Sequence, residues 1–351
     1  MKIKNICLFL FFIISAWAIT LNKVQAQQKS LLGLSKKDSI RQLYIENYDN
    51  DIIVKTFGAY RQLSINFSPQ KIRNIDLQYL PNVASTGGFG IVFKRIALNV
   101  GFKLRQDENA TRNRGQSQYL DLQLNSFGKK IGYDLYYQNY QGYYINNPAV
   151  VFGQWTNATL PQRPDMRIQN IAANVSYFFN HRKFSYRSVF VFDERQIKPA
   201  GSFILTASIG YLNLSADSSF IPQNRVIPFE NNSDFNQAKF YTFAFAPGYG
   251  YNLILFKSVF LSASISTNLG IQIHQYGLNQ TDRSFANSLF KLLGRASIGY
   301  SSQRFFAAGY FQFDTNNLST EQVNVSTTVL NFGILAGYRF RTKLLNNFSI
   351  F

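Results

Sequence analysis

The chain holds few residues able to do acid–base or nucleophilic chemistry: two histidines, His181 and His274, and one cysteine, Cys7. His274 ends the run Lys257 to His274, KSVFLSASISTNLGIQIH, and Ser262, Ser264 and Ser266 share its side of a two-residue period. An imidazole base beside a serine nucleophile is the equipment of a lipid hydrolase. The serines stand eight or more residues from His274, and nothing in the sequence fixes an acid beside the ring. His274 is therefore a weak enzyme candidate, and no residue is assigned as catalytic. His181 sits in a basic stretch, His181-Arg182-Lys183, that reads as a tight turn. Two separated histidines without a thiol pair lack metal-ligand spacing, so neither a metal nor a cofactor is expected.

The charged residues are more informative. Lys103, Arg105, Asp121, Asp134, Arg187, Arg295 and Arg339 all fall on the opposite phase to runs of apolar residues. If the apolar phase faces lipid, these seven face a lumen. One reading is structural, with cations and carboxylates pairing across a narrow or plugged interior. The other is an electropositive pathway or pocket for anionic solutes.

The elements that must position them are strands. In Lys257–His274 every second residue from Val259 to Ile273 is compatible with lipid, and those between are mostly Ser, Asn, Gln and His. A helix would spread those serines over every face, including one against lipid. The period of two recurs in Ile96–Arg105, Leu120–Asn125, Ile131–Gln138, Asn170–Tyr177, Phe184–Asp193, Phe203–Tyr211, Phe305–Phe313 and Leu330–Phe340. Such a series predicts an all-β fold, a transmembrane antiparallel β-barrel of the outer membrane. Composition agrees: 21 Tyr, 34 Phe and only 15% charged residues.

Connections fall into two classes. Short basic turns are expected at Lys94-Arg95, Lys129-Lys130, His181–Lys183, Lys257 and Gln303-Arg304, on the periplasmic side. Longer polar loops are expected at Gln106–Gln116, Gln141–Arg167, Gln275–Ser288 and Asp314–Asn324. Counting forward and backward then makes both Ser202–Asn213 and Lys239–Leu253 descend. Either an ascending strand hides in Leu214–Gln237 or one turn is on the wrong side. With the hidden strand and Ile75–Leu80 the count is 14, within a range of 12–16.

The ends read as export signals. Residues 1–26 have a basic start, an apolar run and a small-residue exit, so a signal peptide cut after Ala26 is expected, taking Cys7 with it. Residues 27–50 are expected as a periplasmic segment, 51–340 as barrel and 341–351 as tail. The aromatic strand Leu330–Phe340 is the expected signal to barrel-assembly machinery. The net charge of +18 suits outer-membrane lipid, lipopolysaccharide or anionic solutes. With no recognition helix and no basic arm, nucleic acid is not an expected partner.

Tyr44-Ile-x-x-Tyr48, Ile52-x-Val54-x-x-Phe57, Leu77-x-Tyr79-x-Pro81-Asn82 and Gly87-Gly-Phe-Gly90 resemble an uncharacterised exported family of Bacteroidota, domain of unknown function 4421. Further on, Asn180-His-Arg-Lys-Phe184-Ser-Tyr-Arg187, Glu194-x-Gln196-x-Lys198-x-Ala200-Gly-Ser202, Asp217-Ser-Ser-x-Ile221-Pro222 and Gly248-Tyr-Gly-Tyr251 are similar to its later blocks. The resemblance implies a Gram-negative outer membrane and supplies no substrate. The function expected is a porin-like channel, a transporter or a ligand-binding surface protein with an electropositive lumen. The alternatives are an outer-membrane lipid hydrolase and a structural or adhesive barrel.

Overall fold

The computed structural model describes residues 39–341, apart from 72–74, 94–95, 227–228, 230–233, 279–280 and 318–322. The expected signal peptide, its cleavage site and nearly all of the tail lie outside the described residues. A short helix α1 (Ser39–Tyr44) leads into β1 (Ile45–Asn47) and the long β2 (Asp51–Pro69). Then come β3 (Leu77–Leu80), β4 (Thr86–Phe93), β5 (Ile96–Lys103), α2 (Glu108–Arg114), β6 (Gln118–Phe127), β7 (Ile131–Ile145), α3 (Pro148–Phe152) and β8 (Gln162–Phe178). Helix α4 (Arg187–Phe190) and β9 (Glu194–Gln196) precede β10 (Ala200–Ser215), β11 (Gln237–Leu255), β12 (Val259–Leu278), β13 (Thr281–Ser301), β14 (Phe305–Asn317) and β15 (Val323–Arg341).

The strands form an antiparallel barrel, closed where β15 pairs with β2 from Val323 opposite Pro69 to Arg341 opposite Asp51. The closed ring of backbone pairing runs through ten strands, β2-β3-β7-β8-β10-β11-β12-β13-β14-β15. Strands β4 and β5 hang on β2, β6 hangs on β7, and β1 with β9 forms a separate two-stranded sheet. The expected count of 14 is corrected accordingly. Ile52–Phe57 and Arg61–Phe67 are one strand, and Ile75–Leu80 supplies only the four-residue β3. Pro81 has no N–H for a ladder, so the descending chain breaks there and resumes as β4. Strand β3 pairs with the far half of β2 and with Tyr144 and Ile145 of β7, while β4 pairs with the near half of β2. The ring is therefore drawn shut at one end by β3. Toward the other end β4, β5 and β6 enter the wall, and β5 and β6 exchange no backbone register among the described residues.

Alternation sets the two faces. On β12, Leu261, Ile265, Leu269 and Ile271 point outward and exposed, whereas Ser262, Asn268, Gln272 and His274 are buried inside. The same outward face carries Phe203 at 69% and Ile334 at 70% exposure, values that water would penalise heavily across so wide a belt. No described helix is long and apolar enough to cross a membrane; the apolar surface is carried by strands.

The turn at Lys257 forms as expected: Phe256 and Lys257 take φ of 47° and 65°, and Ser258 N–H closes on the Leu255 carbonyl at 3.2 Å. Two positive φ values give the twist that a two-residue hairpin needs. Lys129-Lys130 and Gln303-Arg304 also fall between strands. Lys94-Arg95 lies outside the described residues. Three expected long loops are shorter because strands continue into them: β7 reaches Ile145 and β8 starts at Gln162, β12 reaches Leu278 and β13 starts at Thr281, and β14 reaches Asn317 and β15 starts at Val323.

The strand expected at Phe184–Phe192 does not exist. Its residues belong to a segment, 179–199, folded into the end of the barrel that carries the short turns. That resolves the conflict in direction. Without that strand Ser202–Asn213 ascends as part of β10, and the described residues between β10 and β11 hold no hidden strand. The physical reason is the charge spacing. Arg187, Asp193 and Glu194 need polar partners, which a strand facing lipid on one side could supply only in the lumen.

Candidate functional site

The segment 179–199 is a plug. Asn180 turns the chain by donating through its side chain to the Gly201 carbonyl at 2.7 Å, while its own N–H meets Ser202 Oγ at 2.9 Å. Helix α4 is one turn long, closed by Val191 N–H on the Arg187 carbonyl at 3.0 Å. Phe192 ends it at φ 69°, a left-handed conformation that a bulky side chain rarely adopts. It is held there because its ring stacks on Phe306 at 4.4 Å and packs 6.1 Å from Phe260. Strand β9 then pairs with β1, which binds the segment before the barrel to the plug.

Charge fixes the plug. Arg187 is 1% exposed and donates to Asp193 through both Nε, at 3.0 Å, and Nη2. It also reaches Asp49 at 3.3 Å and lies 3.6 Å from Glu194. Arg41 of α1 pairs with Glu194 at 2.6 Å and also donates to the His181 carbonyl. Ser185 Oγ donates to the same Glu194 carboxylate at 2.5 Å, and Asn252 of β11 donates to the Ser185 carbonyl at 2.8 Å. Arg195 pairs with Glu46 at 3.1 Å and donates to the Lys257 carbonyl at 2.7 Å. Burial pushes the Asp193 carboxyl up to about 6, against the downward pull of Arg187.

Two barrel arginines complete the arrangement. Arg295 of β13 donates to the Tyr186 hydroxyl at 2.7 Å and to the Tyr136 hydroxyl at 3.2 Å, and lies 3.4 Å from Asp134. Arg339 of β15 donates to the carbonyls of Phe192 at 2.9 Å and Ser302 at 2.6 Å, with its guanidinium 4.4 Å over the Tyr48 ring. Arg295 and Arg339 thus hold the plug from the wall at Tyr186 and Phe192, while Arg187 bonds Asp193 within the plug itself.

The opposite end is closed differently. Phe220, Ile221 and Phe235, from the loop between β10 and β11, enter the mouth and join Phe67, Tyr79, Met166, Phe240 and other inward residues in a fully buried apolar core. Phe220 stacks on Phe67 at 5.4 Å, and the Tyr79 hydroxyl donates to the Phe220 carbonyl at 2.6 Å. Each such Phe contributes about 2–3 kcal/mol by burial. Between plug and stopper remains a chamber of about 40 Å³, lined by Asp134, Ser176, Thr206, Ser264, Asn268 and Arg295 among others.

The other candidates are dispersed. Asp121 accepts from Arg61 at 2.8 Å, Gln138 at 2.9 Å and Tyr140 at 3.0 Å, inside the barrel. Lys103 lies at the end of β5 with Nζ 4.0 Å from the centre of the Tyr119 ring. Arg105 is beyond β5, exposed, and paired with Glu108 at 3.0 Å. Arg187 belongs to the plug and not to a strand. His274 is fully buried between the rings of Phe240 and Tyr276, and Ser262 donates to Asn252 at 2.7 Å, so neither is presented to a lipid substrate. Among the described residues no group of three His, Cys, Asp or Glu side chains converges as a metal site.

Sequence reasoning missed Arg41, Asp49, Lys55, Glu194 and Asn252. The available signal was four charges within nine residues, Arg187, Asp193, Glu194 and Arg195, too dense for a strand that must cross hydrocarbon.

Fold and site together define a plugged antiparallel barrel with a lipid-compatible outer face. The chain belongs to the family described as Domain of unknown function (DUF4421), whose model matches residues 36–340. Solved structures of similar shape include the outer membrane protease OmpT from Escherichia coli, 7% identical with TM-score 0.37, covering 84% of this chain and 98% of that one. The translocator domain of autotransporter NalP from Neisseria meningitidis is 8% identical with TM-score 0.34, covering 92% and 98%. The P. putida toluene transporter TodX is 8% identical with TM-score 0.25, covering 88% and 93%. No curated protein matches the sequence.

Proposed function

We propose that this protein is an outer-membrane barrel closed along its axis, which works by binding a ligand at its wall and not as an open pore. The observation that carries this reading is the grip of the wall on the plug, Arg295 on Tyr186 and Arg339 on Phe192, with Arg187 bound to Asp193 inside the plug. The lumen arginines face carboxylates, hydroxyls or carbonyls, so they hold a plug where a solute pathway would need them available. The aromatic stopper at the far mouth gives the same direction. The exposed apolar belt supports a membrane setting, and the short turns, with both barrel ends Asp51 and Arg341 beside them, support a periplasmic location for the plug. A signal peptide cut after Ala26 and recognition of Leu330–Phe340 by barrel-assembly machinery belong to the same proposal.

Planar-bilayer conductance of refolded protein tests it. Wild type should be silent, and so should a variant in which 184–197 is replaced by a Gly-Ser linker, because the aromatic stopper remains. Steady conductance from the wild-type protein would overturn the reading.

A further inference from the structure

We infer that one arc of the short-turn end, from the β6–β7 turn to the β11–β12 turn, is a docking surface for the headgroups of anionic phospholipids. This rests on the reading that the apolar belt faces lipid, and it deepens that of binding at the wall by naming the ligand class.

The arc is continuous because its strands, β7, β8, β10, β11 and β12, are neighbours in the ring. At the short-turn end it is built from residues 126–133, 175–186, 197–205 and 249–262, which hold six lysines and arginines and no Asp or Glu. The carboxylates of this end stand elsewhere and face arginines. Glu194 meets Arg41, Asp193 and Asp49 meet Arg187, and Glu46 meets Arg195. Asp51 stands opposite Arg341 in the ladder that closes the barrel. The basic arc thus has no counter-charge of its own.

Two of its lysines are held as a pair. Buried Gln196 donates through Nε2 to the Lys183 carbonyl at 2.6 Å and to the Lys198 carbonyl at 2.9 Å, so one side chain sets both backbones. Both ammonium groups then stand 5.5 Å from the centre of the same Tyr44 ring. Lys130 joins them from the β6–β7 turn, where its carbonyl accepts the Phe178 N–H at 2.8 Å. Burial first, and then the Lys130 charge, hold the His181 imidazole below its ordinary value. Lys130, Lys183 and Lys198 are exposed and form no ion pair among the described residues. Like charges gathered on one ring repel, and a phosphate between them relieves that repulsion.

What flanks the lysines selects a lipid over a soluble anion. Tyr177 at the end of β8, Phe179 just beyond it and Phe203 on β10 are exposed on the outer face, with the Phe179 N–H on the Phe203 carbonyl at 3.1 Å. At the β11–β12 turn Phe256 is 90% exposed and adjoins Lys257. Rings in a row beside ammonium groups fit the boundary between acyl chains and phosphates. A soluble anionic polymer would match the lysines and leave the rings in water.

The test uses the full chain in phosphatidylcholine nanodiscs carrying trace spin-labelled phosphatidylglycerol or spin-labelled phosphatidylcholine of the same chain length, and reads the immobilised fraction of each probe. Wild type should retain phosphatidylglycerol over phosphatidylcholine by about fivefold at low salt, and the preference should fall toward one at about 0.5 M salt. Lys183→Gln/Lys198→Gln should lower it to about twofold or less, and adding Lys130→Gln to about one. Only the carbonyls of Lys183 and Lys198 are held, so the fold, read from heat-modifiable gel mobility, should be unchanged. Arg112→Gln/Lys239→Gln removes the same charge from the opposite end and should keep the preference. Equal retention of the two probes by wild type would overturn the site. So would equal loss in both double variants, since net charge alone would then account for the preference. Binding of purified peptidoglycan that depends on Lys183 and Lys198, without a lipid preference, would assign the surface to that polymer and overturn the lipid. A chain that does not enter nanodiscs sinks the membrane setting; one that enters and retains both probes equally sinks this inference alone.

Discussion

The Arg339 guanidinium donates through Nε to the Phe192 carbonyl at 2.9 Å, so the last strand of the barrel grips the tip of the plug. Plug and wall are joined at the seam where the ring closes, since β15 is also the strand that pairs with β2. Replacing Arg339 by Met should leave the Phe192 and Ser302 carbonyls unpaired in a buried site and cost about 2–4 kcal/mol. Urea unfolding in detergent reads the loss, and limited proteolysis within 183–197 should accelerate in the same variant. Unchanged stability and unchanged cleavage would show that the plug is held without it.

Asp193 gives a pH dependence of defined sign. Its carboxyl titrates near 6 in the folded protein, above the ordinary value of 3.8, so the folded state binds its proton more tightly than the unfolded state does. Its contribution to stability is fully present below about pH 4 and falls as pH rises toward 6, by up to about 2–3 kcal/mol. Asp193→Asn should remove that slope. The check is to compare unfolding free energies of the two proteins between pH 4 and 7; parallel curves would refute the assignment.

Gly88 is predicted to tolerate no side chain. A Cβ there would sit 2.2 Å from the Val100 carbonyl oxygen and 2.5 Å from Phe57 Cζ. Gly88→Ala should cost about 1–3 kcal/mol by overpacking. Adding Phe57→Leu should recover only part of it, because the Val100 oxygen is backbone and cannot rotate away. The fraction refolded, read from heat-modifiable gel mobility, would distinguish partial from full rescue.

Phe220→Ala should cost about 3–5 kcal/mol by opening a cavity in the stopper. It should nonetheless leave the barrel electrically silent, since the charged plug still blocks the other end. Conductance in this single variant would show that the plug leaks.

Much of the wall was legible because alternation is local. Lys257–His274 gave the direction, faces and turn of β12 from residue types alone, and the outer aliphatics of β5, β6 and β8 followed the same rule. The plug was not legible, since Phe184, Tyr186, Ser188, Phe190 and Phe192 also alternate, and what overrides a strand there is long-range. Asp49 is 138 residues from Arg187, and Asn252 is 67 from Ser185. Phase separates inward from outward only where a strand exists, as for Asp121, Asp134, Arg295 and Arg339; it misplaces Arg105, exposed beyond β5, and Arg187, in the plug, and it cannot tell paired from unpaired. Lys55 is illegible for that reason: it sits in a strand like any other, and only the fold brings the plug carboxylate Asp193 into its electrostatic reach.

The bridging position of β3 also has a consequence for the membrane. The barrel is ringed by ten strands where β3 joins β2 to β7; toward the short turns β4, β5 and β6 lie between β2 and β7 instead, with no pairing between β5 and β6 among the described residues. A wall with more strands at that end would displace more lipid from the leaflet beside the short turns than from the other. The bilayer around it would carry an area mismatch between leaflets, and patches of this protein at high density would be expected to impose curvature.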